Sequence, residues 1–331
     1  MKNIFDYATK ELSQDAFLRW LFENHDDAEI GGVANRLLSK LCSFRDDERV
    51  QSLETSAQVY KIDISVWMTT TLGRKIALFI EDKTFSNEHS QLKVYDNYID
   101  GIKDCEIHKV FYKTNVIGGE ELKRIHEANE HNKVDWDIYD IKDIYSFFEE
   151  YTDYPNLIVS QYVAHLKAIY TSVTNTEMPK SNNTTTDFLA WQAYYINTVL
   201  PKLSGKERFH YWANKAGQYP YVNLGLKKAA NKSIPYLEVR SRDCCDGQFV
   251  IRFLCYGMPL EDISQQKALM EKLQSISEWD CKGIVMHKRG KEDYYPKQIG
   301  VARKECRSSE EFIKWVNYFA EQYLKLMEDW K

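Results

Sequence analysis

Three charged residues interrupt two apolar segments of the chain. Asp63 lies within the segment 58–69, and Glu81 and Lys83 lie at the end of the segment 75–84. Burying a charged side chain is costly unless it has a partner. Two carboxylates supply the hard oxygen ligands that Mg²⁺ takes, and a lysine ammonium can orient water or contact a phosphate as a point charge. The three residues together therefore suit metal-assisted hydrolysis, in which the ion lowers the pKa of a bound water molecule.

Both segments have the alternating pattern of β-strands. In the first, apolar residues recur at every second position from Tyr60 to Val66. In the second, Glu81 and Lys83 are two residues apart and therefore share one face. The sequence thus predicts strands over 58–69 and 75–84, with both charges on the same side of the second strand.

The loop between these strands decides whether Asp63 joins the other two charges. Directly opposed residues of a hairpin point to the same face, so Asp63 can lie opposite Glu81 only if the loop has an odd number of residues. A three-residue loop over 71–73 satisfies this condition and places Gly73 at the left-handed position that such loops favour. We therefore expect all three charges on one face.

Further ligands and contacts are predicted nearby. The backbone carbonyl of Asp82 can complete the shell of a bound Mg²⁺, with Mn²⁺ as an alternative ion, because alternation turns its side chain away. A helix is predicted over 87–101, and on it Gln91 and Tyr95 are four residues apart and share a face. We expect these two side chains to contact the substrate.

The remaining pattern predicts two domains, 1–175 and 185–331, joined by a linker over 171–187 that is rich in Asn, Thr and Ser. In the first domain, helices are expected over 13–23 with Ser13 as N-cap, 32–44, 120–132, 141–151 and 157–172. Strands are expected there over 50–56, 105–113 and 136–140. In the second, helices are expected over 188–203, 264–278 and 309–330, and strands over 236–241, 248–256, 283–287 and 297–302. The fold class is therefore α/β followed by an α+β domain.

The charge is divided unequally between the two halves. The whole chain carries a net charge of -5, whereas the residues from 180 onward include 24 basic and 18 acidic side chains, a net charge of +6. A basic half could meet phosphates, and the basic residues between 288 and 304, with Tyr294 and Tyr295 among them, could form a nucleic-acid contact strip. Chance variation between two solvated surfaces is the alternative.

Composition favours a globular protein in a reducing compartment. Hydrophobic residues make up 44% of the chain, and no apolar segment approaches the roughly 20 residues that a membrane span needs. The seven cysteines form no CxxC pair, and the first fifteen residues contain no apolar signal region. We therefore expect a cytoplasmic protein without a membrane partner and with reduced thiols.

Asp63 followed by Glu81-x-Lys83, in a helix-strand-strand-strand-helix-strand order, resembles the PD-(D/E)XK nuclease superfamily. The run from Gln91 to Tyr95 resembles the QxxxY motif of its RecB-type and lambda-exonuclease-type branch, and the residues ELSQDAF at 11–17 resemble an uncharacterised bacterial subset. The resemblance covers residues 1–145, although Ile62 stands where many members have proline. It implies a restriction-endonuclease-like core with a central mixed sheet flanked by helices. It also implies a metal-binding acid on the first helix, for which Glu11 is the first candidate and Asp15 the second.

These observations predict a Mg²⁺-dependent nuclease in which Asp63, Glu81 and Lys83 are catalytic. The resemblance alone implies that the substrate is DNA rather than RNA and that the context is bacterial defence or restriction-like. One alternative is a catalytically inactive module that binds nucleic acid or protein on the same fold. Another is a hydrolase of other phosphate esters, although the sequence has no nucleotide-binding loop. A plain salt bridge between Asp63 and Lys83 is the structural alternative.

Overall fold

A computed structural model of the chain describes residues 3–6, 11–84, 86, 90–130, 132–205, 209–214, 219–225, 235–256, 263–281 and 296–328. The chain forms two compact units, Met1–Ser172 and Val173–Lys331. Both are mixtures of helices and strands. Among the described residues, no helix combines the length and the apolar character needed to cross a lipid bilayer.

The first unit contains a five-stranded mixed sheet with the order β1-β2-β3-β4-β5. Strands β1, β2 and β3 are antiparallel neighbours, and β3, β4 and β5 are parallel neighbours. Its helices are α1 (Glu11–Glu23), α2 (Gly31–Cys42), α3 (Leu92–Ile99), α4 (Gly119–Asn129), α5 (Ile141–Phe148) and α6 (Leu157–Thr174). Its strands are β1 (Val50–Val59), β2 (Ile62–Thr70), β3 (Lys75–Lys83), β4 (Glu106–Lys113) and β5 (Trp136–Tyr139).

The second unit contains a six-stranded antiparallel sheet with the order β10-β11-β9-β8-β7-β6. Its strands are β6 (Phe209–Asn214), β7 (Tyr219–Leu224), β8 (Pro235–Arg240), β9 (Gln248–Tyr256), β10 (Trp279–Asp280) and β11 (Pro296–Glu305). Its helices are α7 (Thr185–Ala193), α8 (Ile263–Gln274) and α9 (Ser309–Met327). A π-helical turn over Tyr194–Val199 follows α7 directly.

The hairpin between β2 and β3 has the predicted geometry. Ile64 pairs with Ile80 and Thr69 with Lys75, which is the register that a three-residue loop requires. Gly73 adopts a φ of 77°, and its N–H donates to the Thr70 carbonyl at 2.9 Å. The predicted loop length and left-handed glycine are therefore confirmed.

Two helices cover the face of the sheet from which Phe79 and Phe111 project. Leu92 and Ile99 on α3, and Ile125 on α4, pack with these rings in one buried apolar cluster. Phe79 lies two residues before Glu81, so both side chains project from the same face of β3. The packing that holds α3 on the sheet therefore also fixes its position beside the charged residues.

Several predicted element boundaries were wrong. Helix α1 begins at Glu11 rather than after Ser13, so Ser13 lies inside the helix and does not cap it. Tyr60 lies in a turn rather than in a strand, because β1 continues to Val59 and pairs there with Ile62. Strands β6 and β7 were not predicted.

Two predictions fall wholly or partly outside the described residues. The structure does not describe the segment 283–287, where a strand was predicted, or most of the basic strip between 288 and 304. Of the strip, Arg303 is exposed, and the Lys304 ammonium lies 5.0 Å from the centroid of the Trp315 ring. Nothing in the described residues relates either side chain to a nucleic acid.

Candidate active site

The three charged residues singled out in the sequence meet in the first unit. Lys83 Nζ lies 3.5 Å from Asp63 Oδ2 and donates a hydrogen bond to Glu81 Oε1. Glu81 is 1% exposed and the Lys83 side chain 8% exposed. Because both carboxylates reach the same ammonium, they lie on one face of the sheet.

The Asp63 carboxylate is held by backbone and side-chain donors. The Asp82 N–H donates to Asp63 Oδ2 at 2.9 Å, and Gln58 Nε2 donates to Asp63 Oδ1 at 3.2 Å. Both donors orient the carboxylate. Asp63 is therefore fixed in place and keeps an edge toward solvent, with 16% of its side chain exposed.

Glu81 is in an unfavourable position for a carboxylate. Burial raises its pKa to about 8 and the neighbouring Asp63 carboxylate acts in the same direction, while Lys83 opposes both. Its Oε2 atom is buried, and the Asp63 carboxylate and the Tyr95 phenol lie beside the Glu81 carboxylate. Two neighbouring carboxylates repel each other, and a bound cation would offset that repulsion.

This geometry predicts how the stability of the metal-free protein depends on pH. The carboxyl of an unfolded glutamate ionises near pH 4.5 and that of folded Glu81 near pH 8, so Glu81 destabilises the fold increasingly as pH rises between these values. We expect the melting temperature to fall through this window in chelator. The increase in melting temperature on adding Mg²⁺ should become larger over the same pH window. Differential scanning fluorimetry measures both effects. A Mg²⁺ effect that is equal at pH 5 and pH 8 would contradict the prediction.

The other predicted metal ligands are not assembled in the same way. The Asp82 side chain lies on the opposite face, where its Oδ1 accepts from Gln14 Nε2 on α1, and its backbone carbonyl accepts from Lys83 Nζ at 3.1 Å. Asp15 is buried. The pKa of the Tyr162 phenol is raised first by burial, then by Tyr112, and to a smaller extent by Asp82 and Asp15. Glu11 begins α1, and the position of its side chain lies outside what the structure describes.

The donor set fits Mg²⁺ when water completes it. Within the described residues, no group of three or more His, Cys, Asp or Glu side chains could hold a metal ion. Mg²⁺ commonly keeps several waters and binds through one or two carboxylates. Asp63 and Glu81 would supply these two carboxylates.

The two predicted substrate contacts lie at different depths. Tyr95 on α3 is buried, and its pKa is raised first by burial and then by the Glu81 carboxylate beside it. Gln91 is half-buried just before the first turn of α3, where its carbonyl accepts from the Tyr95 N–H at 3.1 Å. Tyr95 therefore contacts the charged cluster directly, whereas Gln91 lies at the start of the helix that carries Tyr95.

Two further buried lysines on β4 were missed in the sequence. Lys113 is the register partner of Lys83 on the parallel neighbouring strand, and its Nζ donates to both carboxylate oxygens of Glu121 at 2.7 and 2.6 Å. Lys109 is equally buried and donates to Asp96 Oδ1 at 2.8 Å. Charged residues within an apolar strand were the signal that identified Glu81, and the same signal is present in the segment 105–113.

Comparisons with protein families, with curated proteins and with solved structures found no match to this chain.

Proposed function

We propose that this chain is a metal-dependent nuclease of the PD-(D/E)XK type that hydrolyses phosphodiester bonds, with DNA as the substrate. The observation that carries the proposal is the meeting of two carboxylates, Asp63 and the buried Glu81, at the single ammonium of Lys83. One ammonium cannot balance two carboxylates, so a bound cation would offset the remaining negative charge.

The residues have separable roles in this proposal. Asp63 and Glu81 would hold Mg²⁺, which supplies an acidified water and offsets charge on the phosphate. Lys83 already contacts both carboxylates. In the metal-bound protein, the Lys83 ammonium would orient the attacking water or contact the scissile phosphate. The fold supports the assignment, because β2 and β3 bring Asp63, Glu81 and Lys83 to one face of a mixed sheet and α3 places Tyr95 beside them.

The test is a cleavage assay with the full chain. Linear, circular and single-stranded DNA and a single-stranded RNA are incubated with Mg²⁺, with Mn²⁺ or with chelator. We expect metal-dependent cleavage of DNA, and a loss of about 100-fold or more in Asp63→Asn, since removing a single electrostatic group from an active site commonly costs that much.

A matched control uses a carboxylate on the same unit. Asp100 is exposed at the end of α3, so Asp100→Asn should cleave as the unaltered protein does. Cleavage that survives Asp63→Asn would overturn the site assignment. Comparison of circular with linear DNA shows whether a free end is needed.

A catalytically inactive binding module is the second candidate. It is favoured by the Lys83 ammonium, which already partly neutralises both carboxylates in the absence of an ion. In that case, nucleic acid would bind without cleavage in every metal, and Mg²⁺ would not raise the melting temperature.

A further inference from the structure

The turn between β1 and β2 carries an exposed aromatic residue close to the candidate active site. Tyr60 is 61% exposed, and its ring stacks on that of Tyr98 with centroids 3.5 Å apart and planes 23° from parallel. Tyr98 belongs to α3, the helix that also carries Tyr95. A large aromatic side chain is thus held in a fixed orientation while most of it remains open to solvent.

Three residues at this turn adopt the left-handed backbone conformation. Gln58, Tyr60 and Lys61 adopt φ angles of 59°, 53° and 70°, in the left-handed region that costs energy for residues other than glycine. Strain of this kind tends to occur at functional sites. None of these three residues is glycine, which would adopt the same φ angles without strain.

The turn is connected to the charged cluster in two ways. Gln58 donates from its side chain to the Asp63 carboxylate at 3.2 Å. The Tyr98 ring also contacts the edge of Phe79, with centroids 6.5 Å apart, and Phe79 shares its face of β3 with Glu81. One hydrogen bond and one ring contact therefore link the turn to the strands that carry the candidate catalytic residues.

We propose that the Tyr60–Tyr98 stack is a platform on which the base of an unpaired nucleotide stacks while its strand passes the carboxylates. Base–aromatic stacking needs an exposed, oriented ring and tolerates any base. Lys61, exposed beside Tyr60, provides a positive charge for the adjoining phosphate. This inference rests on the proposed function, because it names the single-stranded form as the substrate class of the same site.

Binding in chelator tests the platform independently of cleavage. The probe is a fluorescent single-stranded DNA of about 12 nucleotides, within the site sizes of proteins that stack bases, and the readout is anisotropy. Tyr60→Ala should weaken binding by about 5- to 150-fold, the range that corresponds to the loss of one stacked base. Tyr60→Phe keeps the ring and should bind as the unaltered protein does.

Two controls separate stacking from other effects. The same strand made with abasic nucleotides should bind Tyr60→Ala and the unaltered protein equally. A second stacked pair, Tyr145 and Tyr170, has its centroids 4.7 Å apart, and Tyr145→Ala should leave binding unchanged.

The outcomes are distinct from those of the nuclease assay. Unchanged binding in Tyr60→Ala, or an equal loss with the abasic strand, would overturn the platform even if DNA is cleaved. A change in self-association without any change in DNA binding would assign the ring to a protein contact and also overturn it. Base-dependent binding through Tyr60 without cleavage in any metal would uphold the platform and reject the nuclease.

Discussion

Glu81→Gln is expected to abolish cleavage and, at the same time, to stabilise the metal-free protein at neutral pH. Glutamine keeps the shape of the side chain and removes the charge that burial disfavours. The raised pKa of Glu81 sets the scale, since each pKa unit corresponds to about 1.4 kcal/mol, and we expect a gain of about 1–3 kcal/mol at pH 7. Urea denaturation in chelator measures the free energy of unfolding. The stabilisation by Mg²⁺ should disappear in this variant.

A second buried glutamate provides the control for that experiment. Glu121 also accepts from a lysine, but Lys113 donates to both of its oxygens. Glu121→Gln should therefore destabilise the fold, because it weakens a satisfied buried pair. If Glu81→Gln destabilises the protein to the same extent, Glu81 is a structural residue and the proposed site is wrong.

Lys83→Met is expected to destabilise the metal-free protein by about 3–5 kcal/mol, the usual cost of leaving a buried charge without its partner. The Glu81 and Asp63 carboxylates would then lie side by side without a cation between them. Because Mg²⁺ binds only the folded site, it should recover much of this loss. Cleavage should fall by about 100- to 1000-fold even when Mg²⁺ restores the fold. Melting temperatures with and without Mg²⁺, measured beside the cleavage rate, separate the two effects.

Lys113→Met is the matched control for Lys83→Met. Lys113 occupies the neighbouring position on β4 and is buried against Glu121, so its loss should be similarly destabilising. Mg²⁺ should not recover that loss beyond its effect on the unaltered protein. Equal recovery in both variants would show that the ion stabilises the unit without occupying the Asp63–Glu81 site.

The charged hairpin could be predicted from sequence because its geometry is local. Alternation assigns the faces, and the parity of a short loop assigns the register, so Asp63, Glu81 and Lys83 could be brought together without knowledge of the rest of the fold. Gly73 supplied the conformational signal for that loop, and its left-handed φ is observed. Each of these inferences depends on residues no more than twenty positions apart.

The remaining features depend on tertiary structure. The strained turn at Gln58, Tyr60 and Lys61 contains no glycine to mark it, so its residues were assigned to a strand. The depth of Tyr95 follows from how α3 packs on the sheet, which periodicity does not specify. The proximity of Lys113 to Lys83 requires a parallel pairing across a helical crossover, and no local pattern gives the register of such a pairing.

The loop of three residues also determines how this chain can tolerate insertions and deletions. Side chains change face with every residue, so adding or removing one residue at 71–73 would turn Asp63 away from Glu81 unless a bulge compensated for it. Adding two residues, one to each strand, would preserve the site. The seventeen residues between the two acids are therefore one member of a series of odd spacings. A search for distant relatives of this site should fix the parity of that spacing and leave its length free.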